Sequence, residues 1–298
     1  MSYYITTDAT CDFPKELLNF ENFEIIPMTY TIGDTEYGID KQLSGKEFYD
    51  AIRDGAMPTT SLITCYTATE FFRPILQAGN DILHICFSSG LSSTYQNVVN
   101  AVEDLKKEFP ERKFFMLDSR CASIGEGFLA YYSLKARDNG MSIEDNYNKT
   151  LTRRDNLCHY FTPDDLFHLM RGGRVSKTAA IAGSILQIKP MLYVNIDGKL
   201  STIDKVKGRK KALLNLITRM QDKIIPEEND FVGIVHADCP DEAEFLKEKI
   251  IEKTGITNIL TNYIGPVIGS HTGPGTIAVV FVGKDKIEPT DLLLENKD

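Results

Sequence analysis

The chain holds no Cys-x-x-Cys pair. Its six cysteines (Cys11, Cys65, Cys86, Cys121, Cys158 and Cys239) are scattered, several of them inside apolar runs. Such spacing leaves no cysteine pair for a zinc site and argues against a disulfide framework, in favour of buried thiols in a reducing cytosol. Positive charge is also in short supply. With 33 Lys and Arg against 42 Asp and Glu, the net charge is −9, which sets aside non-specific nucleic-acid binding as the main business of the chain. The first ten residues, MSYYITTDAT, lack the basic and apolar regions of a signal peptide. The long stretch without Asp, Glu, Lys or Arg, residues 256–283, is too rich in Gly, Pro, Asn, Thr and Ser to make a good bilayer span. A course through a domain interior is expected for it. Three motifs are missing as well: G-x-x-x-x-G-K-[ST], H-E-x-x-H and a complete G-x-S-x-G. Their absence removes the Walker-type phosphate loop, the zinc-protease helix and the nucleophile elbow. A cytoplasmic protein with no membrane segment, metal or cofactor is expected.

What is present is an ordinary globular composition, 42% hydrophobic and 25% charged over 298 residues, long enough for one large or two ordinary domains. Strand-like runs fall at 3–7, 23–32, 81–87, 113–118, 157–162, 189–195, 230–237, 258–264 and 276–283. Helical patterns lie between them, with capping-box spacings at Ser44-x-x-Glu47 and Thr67-x-x-Glu70 and an apolar face at Val98, Val102, Leu105 and Phe109. This alternation predicts an α/β architecture with largely parallel sheets. A Gly-Gly pair at 172–173 breaks the rhythm, which predicts two α/β lobes, 1–160 and 161–298, sharing a cleft. There is no low-complexity linker and no short-period repeat.

Five stretches carry candidate chemistry. In ILHICFSSGLSSTYQNVV (82–99) a strand runs into a turn crowded with Ser88, Ser89, Ser92, Ser93 and Thr94 around Gly90, and then into a helix. A turn beyond the carboxyl end of a strand, leading into a helix N-terminus, suits an anion. A serine N-cap with solvated neighbours is the plainer alternative. MPTTSLIT (57–64) adds hydroxyls beside Pro58. LMRGGRVSK (169–177) places two arginines around the Gly-Gly pair with Lys177 near, where guanidinium forks suit a carboxylate or phosphate. IGPVIGSHTGPGTIAVVF (264–281) sets His271 between Ser270 and Thr272 in a loop of glycines and prolines. KVKGRKKAL (205–213) packs five positive charges into seven residues, as a solvated helix start or as a docking surface. GEGFLA (125–130) matches G-x-G-x-x-A but lies too far past its strand to read as a dinucleotide turn. Asp8 and Asp12 in TTDATCDFP are possible cation ligands, with a strand-end cap the alternative for Asp8.

Taken in order, TTDATCDFP, PTTSLI, ILHICFSSGLSSTYQN, LDSRCASIGEGFLA, RGGRVSK with GSILQIKPML, and IGPVIGSHTGPGT resemble the DegV family from end to end. The resemblance implies a two-domain α/β protein that holds a long-chain fatty acid in an apolar tunnel at and beside the interdomain cleft. It also implies a role as the lipid-carrying subunit of a bacterial fatty acid kinase, without activity of its own. Such a subunit presents the carboxylate to a separate ATP-binding kinase subunit, which forms the acyl phosphate for phospholipid synthesis. Matched onto this sequence, the carboxylate-binding pair is Thr60 and Ser92. The supporting polar network is Ser61, Gly90, Ser93, Arg174, His271 and Thr272, and the kinase-facing basic residues are Lys207 and Arg209. Lys207 stands where members often carry arginine, and the glutamine that often follows the Thr-Ser pair is absent. The competing readings are a serine hydrolase using Ser92 with His271 and a phosphotransferase related to dihydroxyacetone kinases.

Overall fold

The computed structural model describes residues 3–176, 187–288 and 291. Strands β1 (Tyr4–Asp8), β2 (Phe23–Ile26), β6 (Ile82–Cys86) and β7 (Phe114–Asp118) form a four-stranded sheet in the order β2-β1-β6-β7, parallel throughout. Their side chains alternate between two buried faces. Ile82 and Cys86 of β6 pack with Phe72 of α2 (Cys65–Gln77) and Val98 and Val102 of α3 (Thr94–Glu108). Leu83 and Ile85 turn the other way, toward Ile124 and Phe128 of α4 (Ile124–Asp138), against which α5 (Ile143–Asn156) lies.

The run 23–32, expected as one strand, divides at Pro27. Its second part is β3 (Tyr30–Ile32), which joins β4 (Thr35–Tyr37) and β5 (Thr59–Thr60) in a small antiparallel sheet. Proline has no amide proton to continue the β2 ladder, so the chain leaves one sheet and enters another. The capping box at Ser44 forms as expected and starts α1 (Gly45–Arg53). The second one shifts: Thr64 caps α2 by accepting from the Thr67 amide at 3.1 Å, and Glu70 pairs with Arg73 instead.

The second sheet corrects the expectation of largely parallel strands. It comprises β8 (Leu157–Thr162), β9 (Ile188–Val194), β10 (Leu200–Lys207), β11 (Val232–His236), β12 (Ile259–Tyr263) and β13 (Ile277–Val282), in the order β10-β9-β8-β13-β11-β12. Only β11 and β12 run parallel, across the crossover helix α8 (Pro240–Thr254). The other four pairings are antiparallel. The reason is local: β9 and β10 are joined by a tight hairpin turn that needs no crossover helix, and β13 returns between β8 and β11. The basic stretch 205–213 is likewise divided, its first residues ending β10 and only Arg209 onward forming α7 (Arg209–Lys223).

One face of this sheet packs on α7 and α8 through Tyr160, Met191, Ile217, Leu246 and Phe281. The opposite face joins the core of the first sheet through Phe161, Leu192, Val235, Ala278 and Val280. The two sheets therefore share one apolar interface, and that interface is where the cavity lies. The six-stranded sheet opens at Leu157, so the whole of β8, including residues before 160, belongs to it.

Candidate functional site

The serine turn takes its shape from a buried acid. Asp8 ends β1 and accepts from the amides of Phe87 at 2.8 Å and Thr10 at 2.9 Å, which fixes where the chain leaves β6. The Thr10 hydroxyl contacts both Asp8 and Glu126. A hydroxyl has one proton, so it cannot donate to two carboxylates, and one of the two acids must carry a proton. Glu126 also accepts from the Thr7 hydroxyl at 2.7 Å, but burial and the neighbouring Asp8 push its carboxyl well up, which makes it the neutral partner. Burial raises both carboxyls, Glu126 far more.

Beyond Phe87, the Ser88 hydroxyl donates to the Gly198 carbonyl at 2.7 Å, docking the turn on the β9–β10 hairpin. Ser92 accepts from the Thr94 amide at 3.1 Å and donates to the Thr94 hydroxyl at 3.1 Å, so its resting role is to cap α3. The Thr94 hydroxyl in turn accepts from the Ile63 amide at 3.2 Å, which brings the segment 57–64 alongside the turn.

The far side comes from α6 (Phe167–Arg171) and α9 (Pro266–Thr272). His271 Nε2 lies 2.9 Å from the Thr60 hydroxyl. Arg171 donates to the carbonyls of Pro58 at 3.1 Å and Ser270 at 3.0 Å, and Arg174 donates to those of Leu91 at 3.1 Å and Gly172. All these bonds run to carbonyls. Among the described residues neither arginine has a carboxylate within ion-pair distance. The Thr272 hydroxyl, Arg171 Nε and His271 Nδ1 are buried without a hydrogen-bond partner among the described residues.

Thr60, Ser61, Gly90, Ser92, Ser93, Arg174, His271 and Thr272 all line one cavity of about 840 Å³, together with Arg171. This volume lies within the range of small-molecule sites. Away from these polar groups the wall is the inner face of the six-stranded sheet: Phe161 of β8, Val194 of β9, Leu200 of β10, Val235 of β11, and Ala278 and Val280 of β13. Thr276, whose hydroxyl donates to the Thr272 carbonyl at 2.9 Å, marks the polar end of β13. Val280 lies four residues further in, about 13 Å at the usual strand rise. The cavity thus has a polar end and a depth that is apolar apart from His159 of β8, which pairs with Val280 and which burial keeps neutral, its value down at about 3.

Burial, then Arg174, then Arg171 push His271 down to about 4. The imidazole is neutral at pH 7. A proton-decoupled NMR titration of His271 should show no shift between pH 6 and 8 and a midpoint near 4. Because its folded value lies below that of a free histidine, the unfolded chain protonates first. The stability His271 contributes is therefore complete above about pH 6.5 and is lost as pH falls toward 4. A midpoint near 6.5 would mean the ring is solvated and not part of a buried head-group site.

Ser92 and His271 are not hydrogen-bonded to each other; Ser92 is engaged with Thr94 and His271 with Thr60. Lys207 and Arg209 stand outside the cavity. Lys207 is exposed at the end of β10, while Arg209 pairs with Glu242 and donates to the carbonyls of Thr162, Pro163 and Gly275. Lys177 and residues 183–186 of the GSILQIKPML motif lie outside the described residues. The residues matched from the family resemblance include Arg174 but not Arg171, which the sequence offered only as one of the two arginines around the Gly-Gly pair, and no residue of the apolar wall was named. The only sequence signal for that wall is the spacing of two in Ala278 and Val280, which any buried strand shows.

The DegV family model, described as "Uncharacterised protein, DegV family", matches residues 2–284. The chain belongs to the DegV family. A DegV domain-containing protein of Clostridium perfringens is 42% identical over 286 residues, covering 95% of this chain and 98% of that one. Among solved structures, a fatty acid binding DegV family protein of Streptococcus agalactiae is 26% identical with a TM-score of 0.83, covering 96% of this chain and all of its own. A fatty acid binding DegV family protein of Thermus thermophilus is 25% identical, also with a TM-score of 0.83, covering 95% and 100%. Among the described residues of this DegV protein, no helix is long and apolar enough to cross a membrane.

Proposed function

We propose that this DegV protein binds a long-chain fatty acid, its carboxylate at Thr60 and Ser92 and its chain against the six-stranded sheet. The observation that carries this reading is the pair Arg171 and Arg174, both at the polar end of an otherwise apolar cavity and both bonded only to carbonyls among the described residues. Two cations without an anion in a protein of net charge −9 call for an anionic ligand, and the apolar depth calls for a hydrocarbon tail. Thr60 receives the Nε2 proton of neutral His271 and keeps its own hydroxyl proton for the carboxylate. Ser92 can turn its proton from Thr94 to the ligand while still capping α3. Each buried methylene adds about 0.8 kcal/mol, so a chain of roughly sixteen carbons is held through purification. The solved relatives named for fatty acid binding support the same ligand class.

The finer reading is that the protein is the lipid-carrying subunit of a fatty acid kinase in the cytoplasm, inactive alone. It presents the carboxylate to a separate ATP-binding subunit that makes the acyl phosphate for phospholipid synthesis. Exposed Lys207 suits a partner's phosphates better than Arg209, which is already bonded to Glu242 and three carbonyls. Ser92 has no histidine to activate it, which weighs against a hydrolase.

Organic extraction of the purified protein should release about one equivalent of fatty acid. The double variant Thr60→Ala, Ser92→Ala should weaken binding by about 1–3 kcal/mol per lost donor, read by calorimetry with palmitate. Unchanged affinity would show that the head group lies elsewhere. For the finer reading, acyl phosphate should form from ATP only when the loaded protein and the ATP-binding subunit are mixed. Its formation by this protein alone would refute a partner-dependent role.

A further inference from the structure

The far end of the cavity can be followed pair by pair along β8 and β13. From the polar end inward Thr276 lines it, then the pair Phe161 and Ala278, then the pair His159 and Val280. The next residues on that face, Leu157 and Val282, do not line it and pack into the shared core. Beside Val280, strand β11 carries Gly233, and α4 is packed directly on the sheet there. A Cβ on Gly233 would lie 3.1 Å from the Phe128 ring and 3.3 Å from Ile124 Cγ2. His159 completes this floor. The Leu157 carbonyl oxygen, 3.2 Å from His159 Nδ1, can only accept, so Nδ1 carries the proton of the neutral ring. Nε2 is buried without a hydrogen-bond partner among the described residues. A Cβ on Gly125, in the first turn of α4, would overlap that Nε2, so the ring tip fills the space that a glycine leaves. One nitrogen is bonded to the strand and the other is covered by Gly125. What the ring offers the cavity is carbon.

We propose that His159 sets the length of the acyl chain, its ring seated against Gly125 as the floor that the terminal methyl group meets. This rests on the fatty-acid reading of the cavity. The two ends of the ligand are then fixed by different means, the carboxylate by hydroxyls and the methyl group by a ring. Each methylene added along the apolar wall improves Kd about fourfold. Once the methyl group meets the ring, a further methylene has no room, because α4 is packed against Gly233 and His159 behind it. The gain per carbon stops there. Alanine at 159 leaves the volume of the ring open to a longer chain. Gly125 acts through His159: a methyl group added at 125 cannot coexist with Nε2 where it stands. The open space beside the ring is the cavity, so the displaced ring shortens it.

The test measures Kd of the delipidated protein for laurate, myristate, palmitate, stearate and arachidate, by displacement of a fluorescent fatty acid. In the wild type, affinity should rise about fourfold per methylene up to one length and then level off or fall. His159→Ala should extend the rise, so that the acid two methylenes beyond the wild-type limit binds about fifteenfold tighter than it does to the wild type. Gly125→Ala should move the limit to a shorter chain, although alanine suits the helix itself better than glycine. In the double variant, with no ring to displace, that shortening should disappear. A wild-type rise with no limit through arachidate, an unmoved limit in His159→Ala, or a longer limit in Gly125→Ala overturns the proposal. Should His159→Ala fail to fold, as read by thermal melting, an unmoved limit in Gly125→Ala overturns it instead. Failure of the wild type to bind any of these acids counts against the fatty-acid reading, which separates the two.

Discussion

Replacing Ala278 with phenylalanine should abolish retention of a long-chain fatty acid while leaving the protein folded. Ala278 lies in β13 between Phe161 of β8 and Val235 of β11, and all three line the cavity. A phenyl ring projecting from this position occupies the space assigned to the middle of the chain. Each methylene kept out of the cavity forfeits about 0.8 kcal/mol. Losing half of a sixteen-carbon chain amounts to about 6 kcal/mol, on the order of 10⁴-fold in Kd. Ala278 lines the cavity, so the new ring has that space to enter and the usual penalty of overpacking is reduced. Mass spectrometry of extracted lipid and calorimetry with palmitate read the loss, and thermal melting reads the fold. Wild-type affinity in Ala278→Phe would mean that the chain does not cross the inner face of the six-stranded sheet.

Gly198→Val should strike both stability and binding. Gly198 sits in the β9–β10 hairpin turn with φ 74°. A Cβ there would overlap the Ser88 hydroxyl and lie 2.9 Å from the Arg120 Cα. On the facing turn, a Cβ on Gly90 would lie 2.7 Å from the Asp197 carbonyl oxygen, so the two turns interlock backbone to backbone. Arg120 adds a bond to the Ile196 carbonyl at 3.1 Å. Valine brings left-handed strain, a steric overlap and loss of the Ser88 bond together, about 3 kcal/mol or more in sum. A fall in Tm on the order of 5–10 °C is expected. Since Ser92 lies in the displaced turn, fatty-acid affinity should fall as well. Gly140→Ala is the control: its φ is 85°, but nothing lies within 4 Å of the added carbon, so it should cost only the backbone strain of about 1–2 kcal/mol. Equal losses in Gly198→Val and Gly140→Ala would show that contact between the two turns is unimportant.

The particular residues show how far the sequence could be read. The α/β class, the Ser44 capping box and the buried strands of the two larger sheets rest on periodicity and hydroxyl spacing, which act over a few residues. Strand direction in the second sheet does not, because helices between strands look alike whether the chain crosses over or turns back. The break at Pro27 and the hidden strand β10 were obscured for related reasons. One was a proline inside an apolar run, the other a basic strand at a sheet edge, where exposure erases the alternation.

For the site, the sequence by itself determined the chemistry available: a hydroxyl-rich turn, a second hydroxyl segment, two arginines around a glycine pair, and one histidine in a glycine-rich loop. It also determined the family, since these blocks occur together and in order. Only the tertiary structure decided that Thr60, Ser92, Arg171, Arg174 and His271 meet at one end of one cavity, although Thr60 and His271 lie 211 positions apart. It decided, too, that Arg209 braces Glu242 and does not reach that cavity, and that His159 meets Gly125 at its far end. The physical reason is that an anion site with a hydrocarbon tail needs convergent polar groups beside an excluded-water surface. Convergence is a property of sheet order and sheet-to-sheet packing, set by burial across the whole chain, and no local spacing records it.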